Sequence, residues 1–452
     1  MQLHLFEPGP YEHVLSLNFK DSDLGRLHST IPFRELAESF KPAFRSCPQG
    51  AKAIFSLEGG LGLMFLKHLT QLSDAKLISR INTDWHLQIF CGLAPKVHYG
   101  IKDKDIVGRW RRFFGLRLNI SELQDRLVSA WGTDLEHTQV SFQDATVYES
   151  YIKFPTDVKL LWDCVEWVQG QIDSICDCHR LRRPRSKYKV QKIKQIAFSK
   201  KRKKSRKEDR RRRSALLYLL AKLLKQLQSL LNLGAKVIEG LKPAIFERIR
   251  TIRRVLQQQR YHFNQPEKSI PDRIVSLYKP YLHPIVRGKE NKPVEFGAKV
   301  HQLQIGGCNF IEHLSFSAFH EGNRLKKAIG QQRRWFGTVR QVGADGIYAN
   351  NRNRTWCREQ GIATSFKPKG RQGKHLEQKK AMRNTLSNIR STVLEGSFGN
   401  EKNHYLLRKV KARTQETEVA WIFFGVHTAN AVKVAKARAA KAKLQKLEAK
   451  AA

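Results

Sequence analysis

Thr138-Gln139-Val140-Ser141-Phe142-Gln143-Asp144-Ala145-Thr146 alternates with period two. Thr138, Val140, Phe142, Asp144 and Thr146 stand on one parity, with Gln139, Ser141, Gln143 and Ala145 on the other. Successive side chains of a strand point to opposite faces, so this pattern predicts a strand. Asp144 is its odd member, because it shares a face with Val140 and Phe142. An ionised Asp on an apolar face is costly unless a cation or metal pairs with it.

Upstream, the chain reads as helical to about Gly115. Ala51 to Leu69 carries an apolar face interrupted by Gly59, Gly60 and Gly62, which points to close helix packing or a short break. Leu72-Ser73-Asp74-Ala75 reads as a turn and N-cap, and Trp85 to Leu93 as a short apolar helix. Arg109-Trp110-Arg111-Arg112-Phe113-Phe114-Gly115 mixes cations with aromatics. On a helix it reads either as phosphate contacts beside a packed face or as ordinary anchoring.

Downstream, Pro155-Thr156-Asp157 opens a helix to about Cys176. His179 to Arg213 is strongly basic, and Lys200 to Arg213 is almost continuous charge, expected to form a solvated arm able to contact nucleic acid. Leu216, Leu220, Leu223, Leu227 and Leu230 then form a short seam, expected to pair with the 158–175 helix as a hairpin. Strands are predicted at Arg273 to Tyr278, Val294 to Ile305 and Phe310 to Phe316, with turns at Gly288 and Gly306-Gly307. A helix from about His320 to Phe336, a strand from Val339 ending at Asp345, a helix from Asn350 to Gln360 and a helical stretch from Glu377 to Tyr405 come next. From about Ala429 the Ala/Lys-rich end predicts a solvated, frayed helix. This order suits an α+β fold, a mixed sheet with helices packed on it.

The chain has 452 residues, with 83 Lys and Arg against 40 Asp and Glu, a formal charge of +43. A compact fold with that charge repels itself, so a polyanionic partner is the natural reading, and phosphate of DNA or RNA fits best. No secretory signal opens the sequence. The leucine-rich stretch from Ala215 to Gly234 is broken by Lys222, Lys225, Gln226 and Gln228, and so reads as amphipathic rather than spanning. Seven scattered cysteines, with Cys176-Asp177-Cys178-His179 too tight for a zinc site, suit reduced thiols. A cytoplasmic protein is expected.

Three acids stand out by position. Asp144 lies in its strand, Asp345 ends a strand before Gly346, where sites on α/β sheets gather, and Glu395 precedes Gly396 with Lys402 seven residues on, on one helix face. Each reads alone as a salt-bridged acid. Together with Asp144-Ala145-Thr146-Val147, Phe154-Pro155-Thr156-Asp157, Pro284-Ile285-Val286-Arg287-Gly288-Lys289, Glu295-Phe296-Gly297-Ala298-Lys299-Val300, Ala344-Asp345-Gly346-Ile347-Tyr348 and Glu395-Gly396-Ser397-Phe398, they carry a resemblance. Leu69-Thr70-Gln71-Leu72-Ser73-Asp74 and Phe90-Cys91-Gly92-Leu93 extend it towards the N-terminus. The chain resembles the DDE transposases of bacterial insertion sequences that join an N-terminal helical DNA-binding domain to an RNase-H-like catalytic domain. Two departures are visible. Ile347 stands where the family has glycine before the aromatic residue, and Arg390 stands five residues before Glu395 rather than four.

The resemblance implies an RNase-H-like mixed sheet flanked by helices, with residues 136–154 and 265–428 as catalytic domain. Residues 1–135 would be the N-terminal domain, 155–264 a basic helical insertion and 429–452 the tail. It implies DNA strand cleavage and transfer of the element itself, with Asp144, Asp345 and Glu395 as catalytic residues holding two Mg²⁺ or Mn²⁺ ions. These are hard cations suited to oxygen donors. Double-stranded DNA, as element ends and target, is the implied partner, and two ends suggest a homodimer on DNA. Lys402, Arg390, Arg109, Arg111, Arg112 and Lys200, Lys201, Arg202, Lys203 and Lys204 are the expected DNA contacts. The alternative is an inactive or domesticated descendant that only binds DNA.

Overall fold

The computed structural model of the chain describes residues 10–44, 53–286, 293–370 and 376–451. The chain divides into two compact units. The first is Met1–Tyr151, Ala298–Ser315 and Phe319–Ala452, and the second is Ile152–Gly297 with Phe316–Ala318. Six strands occur among the described residues: β1 Val140–Glu149, β2 Pro284–Val286, β3 Val294–Ile305, β4 Cys308–Ser315, β5 Gln341–Ala344 and β6 Ala363–Thr364.

The sheet of the first unit runs β3–β1–β5–β6, with β4 antiparallel on β3. The β1–β5 and β5–β6 pairs are parallel, with Gln143 opposite Ala344. The sequence pattern predicts one polar face for β1, yet Ser141 and Gln143 are fully buried. They are joined by one bond, Gln143 Nε2 donating to Ser141 Oγ at 3.0 Å, while Gln143 Oε1 stays without a partner among the described residues. A central strand is covered on both sides, so its polar parity must be hydrogen-bonded rather than wet. One apolar cluster gathers Leu325 and Ile329 of the helix Leu325–Phe336 with Val342 and Tyr348. Another joins Phe142 to Leu386, Leu394 and Phe398. The mixed α+β, RNase-H-like architecture expected from the sequence is therefore formed.

The N-terminal helices belong to this same unit. The helix Leu57–Thr70 is capped by Ser56, whose hydroxyl accepts from Gly59 N–H at 3.1 Å. Its glycines are packing residues: a Cβ on Gly60 would lie 2.5 Å from the Trp110 ring, and one on Gly59 2.4 Å from the Cys91 carbonyl oxygen. Gly60→Ala gains helix propensity but forces the indole away. We expect a net loss of roughly 1–3 kcal/mol, read as a lowered Tm. An unchanged Tm would mean that the contact relaxes freely.

The last helix departs from expectation. It begins at Gln415 rather than near Ala429, and runs to Ala451. Ala420, Trp421, Ile422, Phe423, Phe424, Val426, Ala431 and Val434 are all buried. Phe424 meets Phe65 and Phe114 edge-on at 5.5 and 5.9 Å between ring centroids. The exposed, lysine-rich character holds only beyond about residue 440.

In the second unit, Asp157–Cys178 and Arg206–Leu231 form the expected hairpin. Leu216, Leu220, Leu223, Leu227 and Leu230 pack with Val158, Leu161, Val165, Val168 and Ile172. A third helix, Pro243–Asn264, adds Ile249, Ile252, Val255 and Leu256. Two helices lie where the sequence suggested only a charged arm. Tyr188–Lys200 is one; the other is the start of Arg206–Leu231, nucleated by a capping box between Ser205 and Glu208. Arg273 to Tyr278 forms no strand, and Ile274 and Leu277 instead fill the helical core. β2 pairs antiparallel with Val294–Phe296, and the turn expected at Gly288 lies outside the described residues.

Candidate active site

Adjacent parallel strands set two of the acids side by side. Gln143 of β1 faces Ala344 of β5, so Asp144, in the middle of β1, and Asp345, just past the end of β5, are the next residues along the two parallel strands. The Asp144 side chain is 16% exposed. Its Oδ1 accepts from Ala145 N–H at 2.8 Å and its Oδ2 from Arg390 Nη1 at 2.9 Å. Burial pushes its carboxyl up to about 6; the Ala145 N–H and Arg390 oppose the rise, while Glu321 and Asp345 add to it. Asp345 is exposed and starts the short turn Gly346–Tyr348, its Oδ1 accepting from Gly346 N–H at 2.6 Å. The Ile347 departure does no harm to this geometry: Ile347 points outward, half exposed, while Tyr348 is buried beneath the acids.

The third acid arrives through a local distortion. Between the helices Leu376–Ile389 and Glu395–His404, Arg390–Leu394 is π-helical. A π-turn bonds i to i+5 rather than i to i+4, so it absorbs one extra residue without rotating the next helical turn off the face. That is the structural answer to the five-residue spacing. Arg390 Nη1 lies 3.1 Å from Glu395 Oε1 as well as 2.9 Å from Asp144 Oδ2, so one guanidinium nitrogen bridges both acids. Lys402, two turns past Glu395, donates through Nζ to Thr146 Oγ1 at 2.7 Å, two residues along β1 from Asp144.

The sequence reading missed two acids. Glu321, 12% exposed, pairs with Lys299 at 2.7 Å and contributes charge near Asp144. Nothing in its surroundings in the sequence, His320-Glu321-Gly322, marks it. Glu401 is buried beside Lys402, accepting from Asn309 Nδ2 at 2.7 Å and from the Tyr148 hydroxyl. Burial pushes its carboxyl up to about 7, against those hydrogen bonds. The folded chain thus holds a proton that the unfolded chain releases in the ordinary glutamate range. Stability should fall as pH rises from that range through about 7, then level off. Glu401→Gln should flatten this trend, its Tm falling less than the wild type's between pH of about 5 and about 8. Parallel Tm curves would refute it.

The cations expected to meet DNA divide. Arg109 and Arg112 are exposed, with Arg109 paired to Asp103. Lys200, Lys201, Arg202, Lys203 and Lys204 are exposed too. Arg111 is a correction: it is buried, paired with Asp74 at 3.0 Å and laid 4.7 Å over the Trp421 ring, because its helix turns that side to the core. Arg390 and Lys402 are only partly exposed and engaged with β1 and Glu395.

Asp144 and Glu395 present oxygens to one point already held by a cation, and both are hard donors, so the pair suits a divalent ion. Among the described residues no three His, Cys, Asp or Glu side chains close around one point. No helix among them is long and apolar enough to cross a membrane.

The family described as Transposase DDE domain matches residues 342–430, from β5 through Asp345 and Glu395 into the last helix. The Transposase domain (DUF772) matches residues 13–118, the N-terminal helices. An uncharacterized protein, ORF8 in the nfe locus of Rhizobium meliloti, is 31% identical over 144 residues, 30% of this chain and 66% of that protein. The match thus spans just under two thirds of that relative. No solved structure matches the chain. Two transposase signatures at opposite ends of the chain thus meet in one compact unit, which also holds Asp144, Asp345 and Glu395; in these two stretches the chain is similar to transposases.

Proposed function

We propose that the chain cleaves DNA strands at the ends of its own insertion sequence and joins them to target DNA, with Asp144, Asp345 and Glu395 as the ligands of two Mg²⁺ or Mn²⁺ ions. The observation that carries this reading is the bridge made by Arg390, which draws acids 251 residues apart in sequence onto one nitrogen. When bound, the ions would polarise the scissile phosphate and lower the pKa of an attacking water or 3′-hydroxyl. The chain itself supplies the rest. Asp144, held by its strand and the Ala145 N–H, is oriented before any ligand arrives. Arg390, released from the acids, is free to meet a phosphate oxygen in a charge-assisted hydrogen bond. Lys402 pins the Glu395 helix to the middle of β1, near Asp144.

Partners and place belong to the same proposal: duplex DNA as element ends and as target, a homodimer on DNA with one site per end, and residence on the bacterial nucleoid. The N-terminal helices, the catalytic sheet, the basic helical insertion of residues 155–264 and the terminal segment are proposed as the functional parts. The test is cleavage, in Mg²⁺, of duplexes carrying the inverted repeats that flank the gene. Nicked ends and strand-transfer products are the expected result. Binding without any cut would instead favour a descendant that only binds DNA.

A further inference from the structure

The helix Tyr188–Lys200 in the second unit packs Tyr188 and Phe198 against the helical core and is tied beside them by polar contacts. Arg212 reaches it from the neighbouring helix, donating through Nε to Gln195 Oε1 at 2.8 Å and through Nη2 to the Gln191 carbonyl at 2.9 Å. Tyr188 stacks on Trp162, with centroids 5.7 Å apart and planes 5° from parallel. The side it turns outward is aliphatic. Val190, Ile193 and Ile196 are 51%, 70% and 49% exposed. Exposed Lys189, Lys192, Lys194 and Lys200 stand around them. Amphipathic surface helices bury their apolar stripe; this helix packs Tyr188 and Phe198 inward and still leaves an aliphatic stripe facing out.

The surroundings say what covers the stripe. Residues 180–213 hold 19 Lys and Arg against two acids, Glu208 and Asp209. Both acids are already bonded, Glu208 to Lys201 and Ser205, and Asp209 to Arg213 at 2.8 Å. A second copy of the same face would bring lysines against lysines. Duplex DNA offers rows of phosphates bordering a major groove wide enough to admit a helix and its apolar contacts, the pattern of a lysine-bordered aliphatic stripe.

We infer that the helix Tyr188–Lys200 is a DNA-docking element that lays Val190, Ile193 and Ile196 into a groove while its lysines neutralise the flanking phosphates. The inference rests on the transposase reading but assigns the insertion its own task. The aliphatic side chains carry no hydrogen-bonding group, so docking here is independent of sequence. A helix of 13 residues is about 20 Å long, enough to follow roughly six base pairs.

The test uses the full chain and a fluorescently labelled duplex of random sequence, with anisotropy measured across a salt series. Lys189→Gln, Lys192→Gln and Lys194→Gln together should reduce the slope of log affinity against log salt by up to about 3. Val190→Ser with Ile193→Ser should weaken binding about ten-fold and leave that slope unchanged, separating the apolar from the ionic contribution. Circular dichroism checks that each variant keeps its helices. Wild-type affinity and slope in both variants would overturn the inference while leaving the transposase reading intact, since the wild type still binds. A wild type that binds no duplex would overturn both. Sedimentation showing that Ile193→Ser abolishes self-association without touching DNA binding would assign the face to a second copy, and overturn it.

Discussion

Asp144→Asn is expected to leave the chain folded and bound to DNA while lowering strand cleavage in Mg²⁺ by about a thousand-fold or more, the scale on which charged groups at a reacting centre act. The change is nearly isosteric. The Asn oxygen still accepts from the Ala145 N–H, as Asp144 Oδ1 does at 2.8 Å. The negative charge disappears, and the side-chain amide now meets Arg390 donor to donor. Stability should not suffer. The Asp144 carboxyl titrates above the ordinary Asp range, at about 6, so above that pH the folded state bears the cost of an ionised buried acid. That cost fades as pH falls through about 6, and the neutral Asn avoids it. The Tm of Asp144→Asn at mildly alkaline pH should therefore match or exceed that of the wild type. Cleavage at the wild-type rate by a folded Asp144→Asn chain would remove Asp144 from the site.

Phe424→Ala should produce the largest loss of stability, roughly 3–5 kcal/mol, by the measure of aromatic truncation in closed cores. Phe424 is 1% exposed and touches rings from two other helices, Phe65 and Phe114, and that of its neighbour Phe423. A cavity there lies between the last helix and the helices Leu57–Thr70 and Ile106–Gly115. Neither can close it without breaking the Gly60–Trp110 contact or the Arg111–Trp421 stack. Truncation after Ala440, by contrast, removes only exposed residues among those described and should leave the chemical-denaturation midpoint unchanged. A midpoint in Phe424→Ala equal to that of the wild type would mean that the last helix is dispensable to the core.

Much of the mixed sheet and its helices was legible. β1, the hairpin of β3 and β4, β5 ending just before Asp345 and the long helical stretch to Tyr405 all arise from period-two or period-3.6 patterning. The leucine seam found its partner because its spacing left one face to bury and the 158–175 helix offered a matching one. Misreadings cluster where charge hid packing. Tyr188–Lys200 reads as a solvated arm because its inward side mixes Tyr188 and Phe198 with Gln191 and Gln195, which Arg212 holds, among many lysines. The last helix was placed late because its alanines and lysines drew attention from the Trp421-Ile422-Phe423-Phe424 block before them.

From the sequence alone came the expectation of a polyanionic partner, the α+β class and the expectation that glycines in the 57–70 helix meet another element closely. Those depend on composition and on local periodicity, which neighbouring residues carry by themselves. Tertiary structure alone decided that Arg390 bridges Asp144 and Glu395, that Arg111 is structural, and that Glu321 and Glu401 lie among the buried acids. Each of those turns on a contact between distant segments. The π-turn at Arg390–Leu394 shows the reason most directly: a spacing that reads as a departure along the chain is absorbed by one wider helical turn, and only the fold selects that turn.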